Sequence, residues 1–225
     1  MIAFHNVTKI FPPDTTALSE INLMITKGEF ILLDGANGSG KTTLLHLINR
    51  YELPTKGEVV VFGRNLGELK WWEVPYLRRR IGVIFQEFKL LRTKTVYENL
   101  AFVLQVLGIG EQESRRRVFE MLDKVSLSSR AEVYPANLSR GEQQRLRIAR
   151  ALIYEPSIIL ADEPTAHLDT QTTQDIIRLL VESNQKGTTL IWATHAPDPF
   201  PEIKKRLLTL DQGKLLIPKP IPSNP

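Results

Sequence analysis

The chain has 225 residues, 42% hydrophobic and 24% charged, a balance that provides a sizeable core in an ordinary folded protein. It contains no cysteine, which excludes disulfides, thiolate metal sites and thiol nucleophiles. The formal net charge of +4 leans only mildly toward anionic partners, and no apolar run approaches the ~18 residues that a bilayer crossing needs.

The opening residues, Met1-Ile2-Ala3-Phe4-His5-Asn6, lack the basic-then-apolar pattern of a signal peptide, so a cytosolic protein is expected. Ile2–Val7 and Leu18–Ile25 alternate apolar with polar residues and predict two half-buried strands, joined through a turn at Pro12-Pro13-Asp14. Lys27-Gly28-Glu29 turns the chain into the apolar run Phe30-Ile31-Leu32-Leu33. Gly35-Ala36-Asn37-Gly38-Ser39-Gly40-Lys41-Thr42 follows, a complete G-x-x-x-x-G-K-[ST] pattern, and Thr42–Ile48 then reads as a helix. Strand, glycine-rich loop and helix together make a phosphate cradle. Glycines let several backbone N–H groups point inward, and the helix N-terminus adds positive potential. Lys41 is placed to reach the β- and γ-phosphates, and Thr42 to hold Mg²⁺ through its hydroxyl.

Gly57–Gly63 and Arg80–Phe85 predict two further strands. From Val96 to Val125 the apolar residues recur at helical spacing, as a helical insert between strands. A third helix starts near Ser139 and runs through Leu152. Ser157–Ala161 is continuously apolar, as expected of a parallel strand buried on both faces. A helix over Thr172–Gln185 and strands over Thr188–Ala193, Lys205–Leu210 and Lys214–Ile217 complete the pattern. Residues 218–225 hold four prolines and are expected to be extended or disordered.

Candidate chemistry gathers where strands end. Ile158–Ala161 runs into Asp162 and Glu163, which suit a Mg²⁺ ligand and a general base for an attacking water. Gln86 follows the strand at 81–85 and can offer its amide oxygen to Mg²⁺ or water, and His195 follows the strand at 188–193. Ligands of open parallel sheets bind at the carboxyl ends of strands, so the coincidence of all four residues at such ends is the argument for a site. Ser139 can cap the next helix, whose N–H groups suit an anion.

With these residues in place, the chain resembles the ATP-binding-cassette ATPases over residues 1–217. Gly35–Thr42 resembles the family's Walker A motif, Ile158–Glu163 its Walker B, Gln86 its Q-loop, Leu138–Gln143 its signature, Ala166-His167-Leu168-Asp169 its D-loop and His195 its switch histidine. The resemblance implies an α/β fold: a P-loop NTPase, RecA-like core with an N-terminal antiparallel β-subdomain and an α-helical subdomain inserted at about 87–150, ahead of the proline-rich tail. It implies ATP hydrolysis with Mg²⁺. Glu163, His195 and Gln86 would be catalytic, and Thr42, Gln86 and Asp162 would hold the metal. Nucleotide contacts would come from Phe11, Gly35, Asn37, Gly38, Ser39, Gly40, Lys41, Thr42 and Thr43, with Phe11 stacked on adenine. In an ATP-bound homodimer, Ser139, Gly141 and Glu142 of the second copy would cap the nucleotide. Phe85–Leu91, Thr95–Phe102 and Gly187–His195 are similar to the family's cell-division branch, whose ATPase lies on the cytoplasmic face of the membrane beside an integral membrane protein and needs no nucleic acid. The lipoprotein-releasing and macrolide-export ATPases are close relatives, and a soluble ATPase linked to nucleic acid is a further class.

The chain departs from the family pattern at Arg140 in the signature, at His167, and at the proline-rich Ala196–Phe200. Arg78-Arg79-Arg80 and Arg115-Arg116-Arg117 read either as solvated basic faces or as contacts to anionic lipid. Trp71-Trp72 reads either as packing beneath the helical insert or as a partner surface. The resemblance also implies a groove for a helix of the membrane partner, lined by Phe88, Leu90, Leu91 and Tyr97 with Glu87 and Lys89 at its rim; the alternative is that these apolar residues pack inside the insert.

Overall fold

The computed structural model describes all residues except 86–89, 167, 196–199, 201–202 and 217–225. It contains two compact units, Met1–Leu77 with the chain from Ile191 onward, and Arg78–Leu190.

The first unit begins with β1 (Ile2–Phe11), β2 (Thr15–Ile25), β3 (Phe30–Asp34), α1 (Lys41–Ile48), β4 (Lys56–Val61), β5 (Arg64–Asn65) and α2 (Val74–Arg78). An antiparallel sheet has the order β2-β1-β4-β5. Ile2 lies opposite Ile25 and Val61, and Phe4 opposite Leu23 and Val59. The next inward residue of β1 is Val7, which is out of phase with Ile2 and Phe4. A register shift between Phe4 and Val7, with Asn6 at φ 50°, restores the phase. Side chains take up donors at this irregularity: Asn6 N–H donates to Asn22 Oδ1 (2.9 Å), and Glu20 N–H to Thr8 Oγ1 (3.1 Å).

β3 belongs to the other sheet of this unit. It pairs in parallel with β9 (Arg206–Asp211), from Ile31 opposite Arg206 to Asp34 opposite Thr209. β9 pairs antiparallel with β10 (Lys214–Leu216), and β8 (Thr189–Thr194) neighbours β3 on its other side. Ile31, Leu32 and Leu33 are buried, as the unbroken apolar run requires of a strand covered on both faces. Trp192 and Phe30 each meet the Phe200 ring edge-on, with centroids 4.6 and 5.0 Å apart, a preferred aromatic geometry.

In the second unit, β6 (Ile81–Ile84) and β7 (Ile158–Asp162) pair in parallel, with Ile84 opposite Ala161. The helices are α3 (Val96–Val106), α4 (Glu111–Lys124), α5 (Arg140–Leu152) and α6 (Thr170–Gln185). The expected helical stretch over 96–125 is therefore two helices. They separate at 107–110, where Gly108 takes φ 77°, a conformation open to glycine at little cost. Val96, Leu100 and Leu104 of α3, Val118 and Leu122 of α4, and Leu146 and Ala149 of α5 form one core cluster. Asn99, wholly buried, sits at its edge. Its Nδ2 donates to Leu91 O (3.1 Å), Lys94 O (3.0 Å) and Thr95 O (2.8 Å), and its Oδ1 accepts from Leu91 N–H (2.9 Å). One side chain thus satisfies the backbone of the loop that enters α3. Leu90 is part of this core at 6% exposure, so it packs inside the helical cluster and does not line an open groove. Phe88, Glu87 and Lys89 lie outside the described residues.

Candidate functional site

The phosphate loop follows β3. Gly35 N–H donates to Asp34 Oδ1 (2.7 Å), starting the turn. The Lys41 ammonium, on a side chain almost fully buried, donates to Gly35 O (2.6 Å) and Ala36 O (3.0 Å), so it lies across the loop at the start of α1. The glycines serve different ends. A Cβ on Gly40 (φ 108°) would overlap the Ala17 carbonyl oxygen, and one on Gly35 (φ 154°) would overlap the Leu210 carbonyl oxygen and lie 2.6 Å from Ser39 Oγ. These two pack the loop against its own unit. Gly38 (φ 79°) has nothing within 4 Å of its Cβ position and lies on the exposed side with Ala36 and Asn37, where a ligand can approach the backbone.

Two observations fit the loop to phosphate. Gly40 occupies the N-cap of α1 and supplies no side-chain cap, leaving that end to an anion. Ser39 Oγ, in a side chain 4% exposed, has no hydrogen-bond partner among the described residues; a phosphate oxygen would satisfy it. Phe11, at the end of β1, is half-buried with the Lys9 ammonium 4.6 Å from its ring centroid, so it is not a core phenylalanine. His195 is the exposed residue directly after β8, next to the strand that feeds the loop.

The second unit carries the acidic residues. Asp162 closes β7, and Glu163 directly follows it; both are half-buried. Glu163 takes φ 46°, a left-handed conformation that a non-glycine residue adopts at a cost of roughly 1–3 kcal/mol. The strand ends at Asp162 and the chain bends at Glu163. Gln144 Nε2 holds the segment just beyond by donating to Pro164 O (2.8 Å). Parallel pairing sends β6 and β7 out at the same end; Gln86, beyond β6, lies outside the described residues, as does His167.

Ser139 caps α5. Its Oγ accepts from Glu142 N–H (3.2 Å), while Glu142 Oε2 accepts from Ser139 N–H (2.8 Å), a reciprocal capping box. That backbone N–H, aided by Arg130 at 3.1 Å, holds the Glu142 carboxyl below its usual range. Glu142 is therefore engaged in holding its own helix. Gly141 has helical geometry, and a Cβ there would meet only Leu168 at 3.9 Å, an ordinary contact. Among the described residues nothing requires glycine at this position. Asp169 caps α6 through Thr172 N–H (2.9 Å) and Thr172 Oγ1 (2.7 Å); the backbone donor chiefly lowers its carboxyl pKa.

Among the described residues, no three His, Asp or Glu side chains cluster as a metal site. Thr42, in the first turn of α1, offers a hydroxyl, and Asp162, at the end of β7, a carboxylate; each is the kind of hard oxygen donor that suits Mg²⁺, which otherwise keeps waters and substrate phosphates as ligands.

Residues 18–166 match the ABC transporter family, to which the chain belongs. It is an ATPase of the ATP-binding-cassette class, with an antiparallel β-sheet, a phosphate loop after a parallel-sheet strand, and a helical cluster. The chain is 42% identical over 213 residues to the cell division ATP-binding protein FtsE of Bacillus subtilis, covering 95% of this chain and 93% of that one. It is 44% identical to FtsE of Mycobacterium tuberculosis (96% and 94% covered) and 43% identical to FtsE of Escherichia coli (96% and 97%). A dimeric ATP-binding cassette in a post-hydrolysis state, bound to ADP and Pi, superposes with TM-score 0.89 at 37% identity, with 96% of each chain covered.

Proposed function

We propose that this chain is the ATP-hydrolysing subunit of a cell-division membrane complex and works at the cytoplasmic face beside an FtsX-like integral membrane protein. The observation carrying this reading is its nearly end-to-end match to FtsE chains. The named relatives are all FtsE chains, which favours this reading over the lipoprotein-release, macrolide-export and nucleic-acid-linked alternatives. No helix among the described residues is long and apolar enough to cross a membrane, which fits a peripheral subunit.

In this reading the N–H groups of Gly35–Thr43 and the Lys41 ammonium bind the phosphates of ATP, and Phe11 stacks on adenine. Thr42, Asp162 and Gln86 would hold Mg²⁺, which would supply positive charge beside the transferred phosphoryl group. Glu163 orients the attacking water and accepts its proton, with His195 holding the γ-phosphate side of the site. Ser139 and Gly141 face the nucleotide of a second copy. The supporting feature is that a side chain at Gly141 would meet no crowding among the described residues of its own chain, which leaves that face open to a second copy's nucleotide. The same surfaces meet reciprocally in a closed twofold dimer. The test is crosslinking and affinity purification from membranes, combined with ATPase assays of Glu163→Gln. Recovery of an FtsX-like protein with ATP-dependent turnover supports the assignment; recovery of a lipoprotein-release or export permease reassigns the branch.

A further inference from the structure

The turn between β5 and α2, together with α2 itself, carries three exposed aromatic rings. Trp71 is 80% exposed, Trp72 50% and Tyr76 63%. The two indoles meet edge-on with centroids 5.6 Å apart, and the Lys70 ammonium lies 5.1 Å from the Trp72 centroid. These tryptophans do not pack beneath the helical insert. The turn is rigidly held: Glu73 Oε1 pairs with Arg64 (2.5 Å), and Glu73 Oε2 accepts from Lys70 N–H (3.0 Å). The Arg64 contact chiefly holds the Glu73 carboxyl below its usual range, so it stays ionised and paired. Residues 64–80 carry five cations, Arg64, Lys70, Arg78, Arg79 and Arg80, against the carboxylates of Glu68 and Glu73. Five cations against two carboxylates give the segment a formal charge of +3, and Lys70 is the cation placed beside a ring.

From this geometry we infer that the Trp71-Trp72-Tyr76 turn is an anchor that inserts into the headgroup layer of an anionic bilayer. Indole and phenol rings favour that layer because they are apolar in body and polar at one edge. Each lysine or arginine near an anionic leaflet adds attraction. The shape points to lipid over a protein groove: a ring 80% exposed at the tip of a stapled turn projects outward, and a deformable headgroup layer accepts it without a preformed pocket. The inference rests on the proposed peripheral placement, but it assigns lipid contact to the ATPase chain itself.

The test uses the purified full-length chain, without any membrane protein, and vesicles of phosphatidylcholine with or without phosphatidylglycerol. The chain has three tryptophans, and Trp192 is 1% exposed, so changes in emission report on Trp71 and Trp72. The expected result is co-sedimentation with phosphatidylglycerol vesicles, a blue shift of emission, and quenching by lipids brominated near the headgroup. Trp71→Ser with Trp72→Ser should abolish binding, and Lys70→Gln should weaken it about fivefold. ATP hydrolysis by these variants should stay at the parent rate, which also shows that they are folded. Absence of a blue shift with anionic vesicles overturns the inference while leaving the ATPase assignment intact. Binding that is equal on neutral vesicles, or unchanged in the variants, overturns it as nonspecific adsorption. If vesicles alone do nothing and the double variant instead loses a membrane protein in pull-downs, the surface belongs to that protein and the lipid assignment falls. Failure of the proposed function would appear separately, as absent ATP turnover in the parent chain.

Discussion

Replacing Gly141 by alanine separates what the fold needs from what the site needs. Among the described residues the new methyl would meet only Leu168, at 3.9 Å, and the backbone there is already helical. Alanine favours a helix over glycine by about 0.5–1 kcal/mol, so the nucleotide-free variant should melt about 1–4 °C higher than the parent. Turnover should move the other way. If the signature helix closes on a phosphate held by a second copy, the methyl displaces that contact, and a misplacement of about 1 Å costs on the order of a hundredfold in rate. Gly40→Ala is the contrasting control. Its methyl would overlap the Ala17 carbonyl oxygen at φ 108°, and positive φ alone costs about 1–2 kcal/mol, so this variant should melt at least about 4 °C lower. The assays are thermal unfolding by circular dichroism, steady-state phosphate release, and sedimentation with ATP in a Glu163→Gln background. A Gly141→Ala variant that is more stable but hydrolyses ATP at the parent rate would refute the composite site. One that melts lower would refute the packing described around α5.

Glu163→Gln is expected to bind ATP, lose turnover and accumulate as a dimer with ATP; equal turnover in variant and parent would remove Glu163 from the base role. Lys41→Ala should lose ATP affinity itself, measured by equilibrium binding, because a charge-assisted phosphate contact disappears. Asn99→Leu leaves the Leu91 N–H and the carbonyls of Leu91, Lys94 and Thr95 without their buried partner; unfolding in urea should show a loss of about 2–4 kcal/mol. The Arg116 and Arg117 side chains hold the Glu113 carboxyl down to about 2. A depressed carboxylate stabilises the fold above its unfolded pKa, near 4.5, and that stabilisation fades as pH falls toward about 2. Acid melts of Glu113→Gln should therefore change less over that window than those of the parent, and the difference should shrink in high salt because the cluster is exposed.

Local chemistry made part of this protein readable in one dimension. The run from Phe30 through Ile48 contains its own strand, glycine-rich turn and helix, so the phosphate loop is complete in consecutive residues. Ile158–Ala161 declared a buried strand by lacking any polar face, and Ser139 declared a helix start as a cap residue; its reciprocal partner Glu142 emerged only in the structure. Other features depend on residues distant in the chain. The phase shift that returns Val7 inward comes from bulged pairing with β2. Leu90 and the two tryptophans look alike in sequence as apolar residues among charges. Only the helical cluster buries the first, and only the Arg64–Glu73 staple projects the others outward. The left-handed turn at Glu163 and the orphaned Ser39 hydroxyl are likewise tertiary outcomes. A motif states which atoms are available; backbone torsion and burial decide where they point and whether they are satisfied.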